Sequence, residues 1–286
     1  MSRRFKALPT DAPYFCVVGS PITHSRSPEI HTAFAEQTGT ALYYERVEVP
    51  AGDFAAALAE FVIAGGRGLN VTVPLKEEAW AAADEHLPAA EVTGAANTIV
   101  VQADGRTLAD NTDGRGLVRD LAGNHGVSLA GRRILLLGAG GAARGVIPNL
   151  LAAAPAELVI ANRTLARARE LVARFGHLGP LVSGSLEAPG AGPFDLVVNA
   201  TSLSLSDAVP PIPHSAVGRR TWCYDMMYTP SGRTAFLDWC LAAGAGSVSD
   251  GLGMLVEQAA CAFELWHGVA PATAPVIAAL RRPRPV

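Results

Sequence analysis

The stretch Arg132–Gly145, RRILLLGAGGAARG, constrains this chain more than any other. An apolar run, Ile134–Leu137, breaks abruptly into Gly138, Gly140 and Gly141 and continues as small, helix-compatible residues. A buried parallel strand reads this way when it feeds a tight turn and a helix start. Glycines there let backbone approach a pyrophosphate, and the free N–H groups of the helix terminus favour an anion. Ala143 takes the third position of the GxGxxG pattern, which the looser form of the pattern permits. An ordinary strand–turn–helix has the same look, so the next strand has to decide. After Glu157–Ala161 come Asn162, Arg163, Thr164 and Arg167. An NAD site would carry a carboxylate near there for the ribose 2′-hydroxyl, whereas arginine suits a 2′-phosphate. Gly138 and Arg163 are 25 residues apart, close to the usual interval of about 20. The stretch predicts an NADP site on a doubly wound α/β unit.

The remaining composition narrows the class. At 286 residues the chain accommodates one large domain or two ordinary ones, and 49% hydrophobic with 17% charged residues is enough to bury a core. A net charge of −3, with no Lys/Arg block, argues against nucleic acid and anionic membranes as partners. MSRRFKALPTDAPYF has positive charge but no apolar run behind it, so it does not read as a secretory signal. No apolar run reaches the roughly 20 residues of a membrane span. Cys16, Cys223, Cys240 and Cys261 lack CxxC spacing and read as reduced, buried residues of a cytosolic protein. The seven histidines show no HxxxH, so no metal site is expected. The tail 281–286 reads as a frayed end.

In the first half, Phe15–Val18 reads as a strand, followed by the loop GSPITHSRSP and a helix with Pro28 at its first position and Gly39 beyond its end. Ser27 is then a natural N-cap, whereas Ser25 has no such local role. Two hydroxyls facing one opening would suit a polyol or carboxylate. Leu42–Val49 is a second strand, and Asp53 caps a helix ending at Gly65-Gly66. GLNVTVPLK follows, with residues 69–73 a strand and Pro74 again opening a helix, which puts Lys76 near its third position. A cation there opposes the helix dipole by ~0.3–1 kcal/mol, so local physics does not call for it. Glu77 and Glu78 suit that turn as a solvated face. Lys76 is either a surface lysine paired with a glutamate or a group with a lowered pKa placed for chemistry. Asn97–Val101 is a strand, Asp104-Gly105 a hairpin turn, and DNTDG precedes a helix in which Thr112 or Asp113 could serve simply as cap. Asn97 could equally be a strand-end residue bonded to backbone.

From Gly114 to about Asp250 strands and helices alternate. Phe194–Ala200 reads as a buried strand, followed by Thr201-Ser202, and Trp222–Met227 as a further strand, ending at Tyr228. Arg233–Ala243 is a helix, and Ser249–Gly253 opens a last one, Met254–Trp266. Gln258 lies a turn beyond Met254 and either faces a polar opening or is satisfied by backbone.

Taken together these segments resemble the shikimate dehydrogenase family in its NADP-dependent, biosynthetic branch. The carriers are GSPITHSRSPEIH, GLNVTVPLK, TGAANTI, DNTDGRG, GAGGAARGV, NRT with Arg167, NATS, YDMMY and DGLGMLVEQAACAF, in the family's order from Gly19 to Phe263. The 37-residue interval from Lys76 to Asp113 also matches. The resemblance implies two domains around a cleft. One is an α/β substrate domain of residues 1–112 and 251–286. The other, 113–250, is a Rossmann-type doubly wound NADP-binding domain. It implies Lys76 and Asp113 as the catalytic pair. Ser25, Ser27, Thr72, Asn97, Tyr228 and Gln258 would hold a substrate. Gly138, Ala139, Gly140 and Gly141 would face the pyrophosphate, with Asn162, Arg163, Thr164 and Arg167 around the 2′-phosphate and Met226 and Gly251 near the nicotinamide. The implied activity is reduction of 3-dehydroshikimate by NADPH on the route to chorismate and the aromatic amino acids. The enzyme would be cytoplasmic, a monomer or homodimer, and without metal.

Two departures stand out. Thr32 follows His31 where many relatives have asparagine, and Leu203-Ser204-Leu205-Ser206 follows NATS where relatives often have glycine. An NAD-using quinate/shikimate dehydrogenase is the nearest alternative, disfavoured by Arg163, Arg167 and the Ser25-x-Ser27 pair. A non-catalytic NADP sensor on the same fold is the more distant one.

Overall fold

A computed structural model of the protein describes residues 4–5 and 12–282. Residues 1–3 and 6–11 of the N-terminal segment expected not to be a signal, and all of the expected frayed tail except Arg281 and Arg282, lie outside those residues. Two compact units emerge, Met1–Thr112 with Gln258–Val276, and Asp113–Glu257 with Ile277–Val286.

The first unit is built on β1 (Tyr14–Gly19), α1 (Ser27–Thr38), β2 (Tyr43–Glu48), α2 (Phe54–Ile63), β3 (Gly66–Val71), α3 (Lys76–Ala82), β4 (Glu85–His86), α4 (Pro88–Thr93), β5 (Thr98–Val101) and β6 (Thr107–Asp110). Its sheet runs β2-β1-β3-β5-β6-β4, with β1 parallel to β2 and β3, and β5 antiparallel to β3 and β6. The apolar face of α2 follows helical spacing, with Phe54, Ala57, Leu58 and Phe61 buried. Each of its large side chains contributes roughly 1.5–3 kcal/mol by burial. Phe61 lies so close to Gly66 that a Cβ there would meet its ring at 2.2 Å.

The helix starts differ from expectation in instructive ways. Lys76 is the first residue of α3 rather than its third, because Leu75 closes a turn onto the Thr72 carbonyl and takes the cap position. Asp53 does precede α2, but its carboxylate pairs with Arg4 at 2.5 Å and makes no cap bond. Glu78 of α3 does that work instead: its carboxylate accepts from Gly52 N–H at 2.9 Å and from Phe54 N–H at 3.4 Å. It is therefore more than a solvated charge. Glu78→Ala is expected to destabilise the protein by about 1 kcal/mol, with Glu78→Gln losing less. Urea unfolding at neutral pH measures this, and an unchanged midpoint in Glu78→Ala would remove the capping role. At α1 the cap bond also moves, since Ser25 Oγ accepts the Ser27 N–H at 3.3 Å while Ser27 caps nothing.

The second unit runs α5 (Asp113–Arg119), a π turn at Asp120–Asn124, β7 (Arg133–Leu137), α6 (Gly141–Ala152), β8 (Glu157–Ala161), α7 (Leu165–Phe175), β9 (Leu181–Gly184), β10 (Leu196–Asn199), β11 (Trp222–Asp225), α8 (Ala235–Ala242) and β12 (Ser247–Asp250). Its six strands are all parallel, in the order β12-β11-β10-β7-β8-β9. The order reverses between β7 and β10, the switch point beside which such sheets bind ligands, beyond the strand C-termini. Close packing at the start of α5 explains Gly114, where a Cβ would fall 2.3 Å from the Asn149 amide oxygen of α6.

Helix α9 (Leu252–His267) starts in the second unit and passes to the first at Gln258, seven residues later than the sequence suggested. After it, α10 (Ala274–Arg281) occupies part of the stretch read as an end, and from Ile277 on it belongs to the second unit. Strand β12, SVSD, without an apolar run, and helix α4, six residues long, are also elements that sequence periodicity does not reveal. Among the described residues no helix is long and apolar enough to cross a membrane, and all four cysteines are free and buried.

Candidate functional site

In the first unit, polar residues collect at one end of the sheet because the topology leaves no other arrangement. β5 runs antiparallel to β3, so Asn97 at its entry lies at the exit of β3, where Val71 N–H donates to the Asn97 carbonyl at 2.8 Å. The Lys76 carbonyl accepts from Ala96 N–H at 2.8 Å, which fixes the start of α3 beside Asn97. The exit of β6 brings Thr112 to the same place.

The Asn97 side chain, buried here, is the hub. Its Nδ2 donates to Thr112 Oγ1 at 2.8 Å and to Gln258 Oε1 at 3.1 Å, while its Oδ1 accepts from Thr112 N–H at 2.8 Å. Gln258 of α9 thus faces a polar cluster and is not merely satisfied by backbone. Ser25 donates to Ser27 Oγ at 3.1 Å, and Arg46 Nε holds the Ser25 carbonyl at 2.7 Å. Thr72, half-buried, lies over Gly19, where a Cβ would sit 2.5 Å from its methyl group. Lys76 is half-buried in the same region.

A supporting layer went unread in the sequence. Asn70 in β3 is buried, accepts from Tyr44 OH at 2.7 Å and donates toward the Asn97 carbonyl at 3.4 Å. His31 stacks on Tyr44 with ring centroids 4.5 Å apart, and burial drives its imidazole down to about 3, so it is neutral at physiological pH. An asparagine inside the apolar strand GLNV was the available signal for Asn70. Nothing local distinguishes Thr112 from a helix cap.

In the second unit, Asp113 is the first residue of α5 and buried. The glycine loop leaves β7 with Gly138 at φ +105°, and a Cβ there would meet the Ala200 carbonyl oxygen at 3.1 Å and the Thr201 methyl at 3.2 Å. The loop after β7 and the NATS turn after β10 therefore touch at the switch point. Gly140 and Gly141 are exposed, and among the described residues nothing comes within 4 Å of a Cβ built on either. That surface leads directly into α6, whose first N–H groups and dipole suit a pyrophosphate, so backbone and glycines fit a dinucleotide. Ala139, between Gly138 and Gly140, is half-buried.

The next strand sits alongside, with Gly138 N–H donating to the Ala161 carbonyl at 2.8 Å. This places the Asn162–Thr164 turn beside the glycine loop. Asn162 Nδ2 closes that turn on the Thr164 carbonyl at 2.9 Å, and Arg163, Thr164 and Arg167 are exposed. A 2′-phosphate fits this cationic turn.

Loops after β10 and β11 meet on the carboxylate of Asp225. It accepts from Thr234 Oγ1 at 2.6 Å, Ser204 Oγ at 2.7 Å, Met227 N–H at 3.1 Å and Asn199 Nδ2 at 3.3 Å. Burial nevertheless holds its carboxyl above the ordinary carboxylate range. Ser204, one of the residues that depart from the family pattern, is thus a bonded member of this network. Met226 and Tyr228 are half-buried in the loop after β11. Gly251 presses on that loop: a Cβ would fall 2.2 Å from the Met226 carbonyl oxygen, and its N–H donates to the Met227 carbonyl at 3.0 Å. Met254 is buried in the core.

Comparison with known proteins accounts for nearly the whole chain. Family models described as the shikimate dehydrogenase substrate binding domain, shikimate / quinate 5-dehydrogenase and the shikimate 5′-dehydrogenase C-terminal domain match residues 17–99, 120–203 and 251–281. Shikimate dehydrogenase (NADP(+)) of Alkalilimnicola ehrlichii is 54% identical over 93% of this chain and 98% of its own. The crystal structure of an Ael1 enzyme from Pseudomonas putida aligns with a TM-score of 0.89 at 43% identity, covering 95% of this chain and 99% of that one. Shikimate 5-dehydrogenase from Thermus thermophilus, solved in complex with NADP(H) and shikimate, aligns with a TM-score of 0.84 at 37% identity, covering 94% and 99%. A strand-order reversal carrying a glycine loop and a cationic turn, a polar sheet end centred on Asn97, and these full-length likenesses lead to one conclusion: the chain belongs to the shikimate dehydrogenase family.

Proposed function

We propose that this protein catalyses the reversible NADPH-dependent reduction of 3-dehydroshikimate to shikimate, the reductive step toward chorismate and the aromatic amino acids. The observation that carries the substrate side is the Asn97–Thr112–Gln258 cluster, with the Ser25-Ser27 pair, Thr72 and Lys76 gathered at the same sheet end. Such a set offers several neutral donors and acceptors for ring hydroxyls and a carboxylate, and one cation.

NADPH, when bound, supplies the hydride. The Lys76 ammonium donates to the ketone oxygen, stabilises the negative charge that develops there and delivers its proton to it; Asp113 is the acidic member of the catalytic pair. In the oxidative direction Lys76 accepts the alcohol proton. Ser25, Ser27, Thr72, Asn97, Tyr228 and Gln258 hold the substrate. Gly138 to Gly141 receive the pyrophosphate, and Asn162, Arg163, Thr164 and Arg167 the 2′-phosphate. Met226 and Gly251 border the nicotinamide. The first unit is the substrate domain and the second the cofactor domain. The protein works in the cytoplasm, as a monomer or homodimer, on a small molecule and without nucleic acid, a reading supported by its near-neutral charge and reduced cysteines.

Absorbance at the nicotinamide band tests this, with shikimate or quinate crossed against NADP⁺ or NAD⁺. Strong turnover is expected for shikimate with NADP⁺ alone. Comparable rates with quinate or NAD⁺ would move the protein to the dual-specificity branch, and silence in all four would overturn the activity.

A further inference from the structure

The loop between β11 and α8 is tied down on two sides by carboxylates. β11 and β12 are parallel neighbours in register, Asp225 opposite Asp250, so both acids sit at the C-terminal ends of adjacent strands, where Asp250 is fully buried. Asp225 accepts the Met227 N–H at 3.1 Å, and Asp250 accepts the Thr229 N–H at 3.2 Å. Asp225 draws its other donors from Thr234, Ser204 and Asn199, all close in the chain or the sheet. Asp250 draws its cation from far away. Arg281, the last residue of α10, grips both carboxylate oxygens, Nη1 donating to Oδ2 at 2.8 Å and Nη2 to Oδ1. The guanidinium also lies over the loop itself, since a Cβ on Gly232 (φ +72°) would be 3.0 Å from Arg281 Nη1.

We propose that Arg281 is a positioning residue for the reaction: by neutralising Asp250 and covering Gly232 it sets the conformation of the 226–232 loop, and through it Met226, Tyr228 and the tightly apposed Gly251. The proposal rests on the functional reading above for what that loop serves. Its physical ground is independent of it. A buried carboxylate is tolerated when its charge is paired and its oxygens are bonded, and removal of the partner leaves an uncompensated buried charge. Asp250 would then recruit water or move outward, and the first bond to go would be the one from Thr229, on the exposed side of the loop. The Gly251 N–H bond to Met227 follows, because Gly251 adjoins Asp250 and leaves no slack against Met226. Helix α10 would thereby set the geometry at the nicotinamide end and leave the glycine loop and the cationic turn unchanged.

Arg281→Met, which keeps the length and loses the charge, and Arg281→Lys, which keeps the charge and loses the two-pronged grip, test this against the wild type. Hydrogen exchange on the ligand-free protein should show the Thr229 and Gly251 amides exchanging at least about tenfold faster in Arg281→Met, while amides of β7 and β8 stay protected. The kcat/KM for shikimate should fall about tenfold to a hundredfold, as expected for misplaced groups at a reacting centre. Affinity for 2′,5′-ADP, which reads only the adenosine end, should be unchanged. Arg281→Lys should fall between the two, and added guanidinium should partly restore Arg281→Ala. Unchanged loop exchange and unchanged kcat/KM in Arg281→Met would overturn the proposal. So would loss of protection spread evenly through β7 and β8 with equal weakening of 2′,5′-ADP, which marks general destabilisation. Should Arg281→Met fail to fold, Arg281→Lys with wild-type exchange and kcat/KM is the overturning result. A wild type inactive on shikimate would sink the functional reading, yet the exchange measurement would still decide whether Arg281 holds the loop.

Discussion

Lys76→Ala is expected to lower kcat for shikimate oxidation by about a thousandfold or more while raising KM for shikimate by less than about fivefold. The size follows from two contributions lost together. A positioned general acid contributes about 10²–10⁴-fold, and an oxyanion donor in a shielded site adds a comparable factor. On the proposed reading the KM effect is small, because Asn97, Gln258, Thr72 and the serine pair remain to hold the substrate. Lys76 also carries a charge at odds with its own helix. It opens α3, where a cation costs ~0.3–1 kcal/mol against the dipole, and it is the backbone carbonyl that provides the bond to Ala96. Alanine keeps that bond, so the folded structure should survive. Steady-state kinetics in the oxidative direction decides the matter, and a variant with wild-type kcat would take lysine out of the mechanism.

Arg163→Ala is expected to raise KM for NADP⁺ by about tenfold to a hundredfold and to leave that for NAD⁺ nearly unchanged. A charge-assisted hydrogen bond to phosphate is worth about 1.5–3 kcal/mol, and arginine makes such bonds in pairs. Arg163 is exposed at the turn that follows β8, so its truncation should leave the glycine loop one strand away undisturbed. Removing Arg167 as well should bring the two cofactors close to parity. Because the contact is solvent-exposed, the NADP⁺ preference of the wild type should also shrink as salt is raised. Equal weakening of both cofactors in Arg163→Ala would contradict a 2′-phosphate role and point to distortion of the turn.

The fold was most legible where a pattern is carried by consecutive residues. ILLLGAGG implies strand, tight turn and helix from consecutive residues alone, and Gly138 indeed turns there at φ +105°, a conformation that favours glycine. Two short elements were illegible for the opposite reason: SVSD of β12 lacks the apolar run that marks the equally short β10, and the six residues of α4 hold too few helical periods to register. Caps were misassigned for a third reason. Asp53 and Ser27 have the right chemistry at the right place, yet Glu78 and Ser25 make the bonds. An N–H group donates to whichever oxygen arrives, and packing of α3 on α2 delivers one from 26 residues away.

Candidate residues were legible as types and not as partnerships. Lys76 stood out because its charge conflicts with its own helix. Asn97, Thr112 and Gln258 each had an adequate local explanation and form one cluster only when β3, β5, β6 and α9 converge. Ser204 looked like a loose departure from the family pattern until it was found bonded to Asp225. Arg281 looked like the start of a frayed end.

By itself, then, the amino-acid order determined what local stereochemistry and periodicity can encode. That comprises a parallel α/β unit with a dinucleotide loop, cationic rather than acidic side chains at the next strand, and a set of polar residues too concentrated at strand ends to be incidental. Tertiary structure decided which of those polar groups share a hydrogen-bond network, which oxygens cap which helices, and that the last described helix returns to secure Asp250. Such facts depend on contacts between residues far apart in the chain. Their geometry is set by how sheets and helices close on one another, and no window of neighbouring residues contains it.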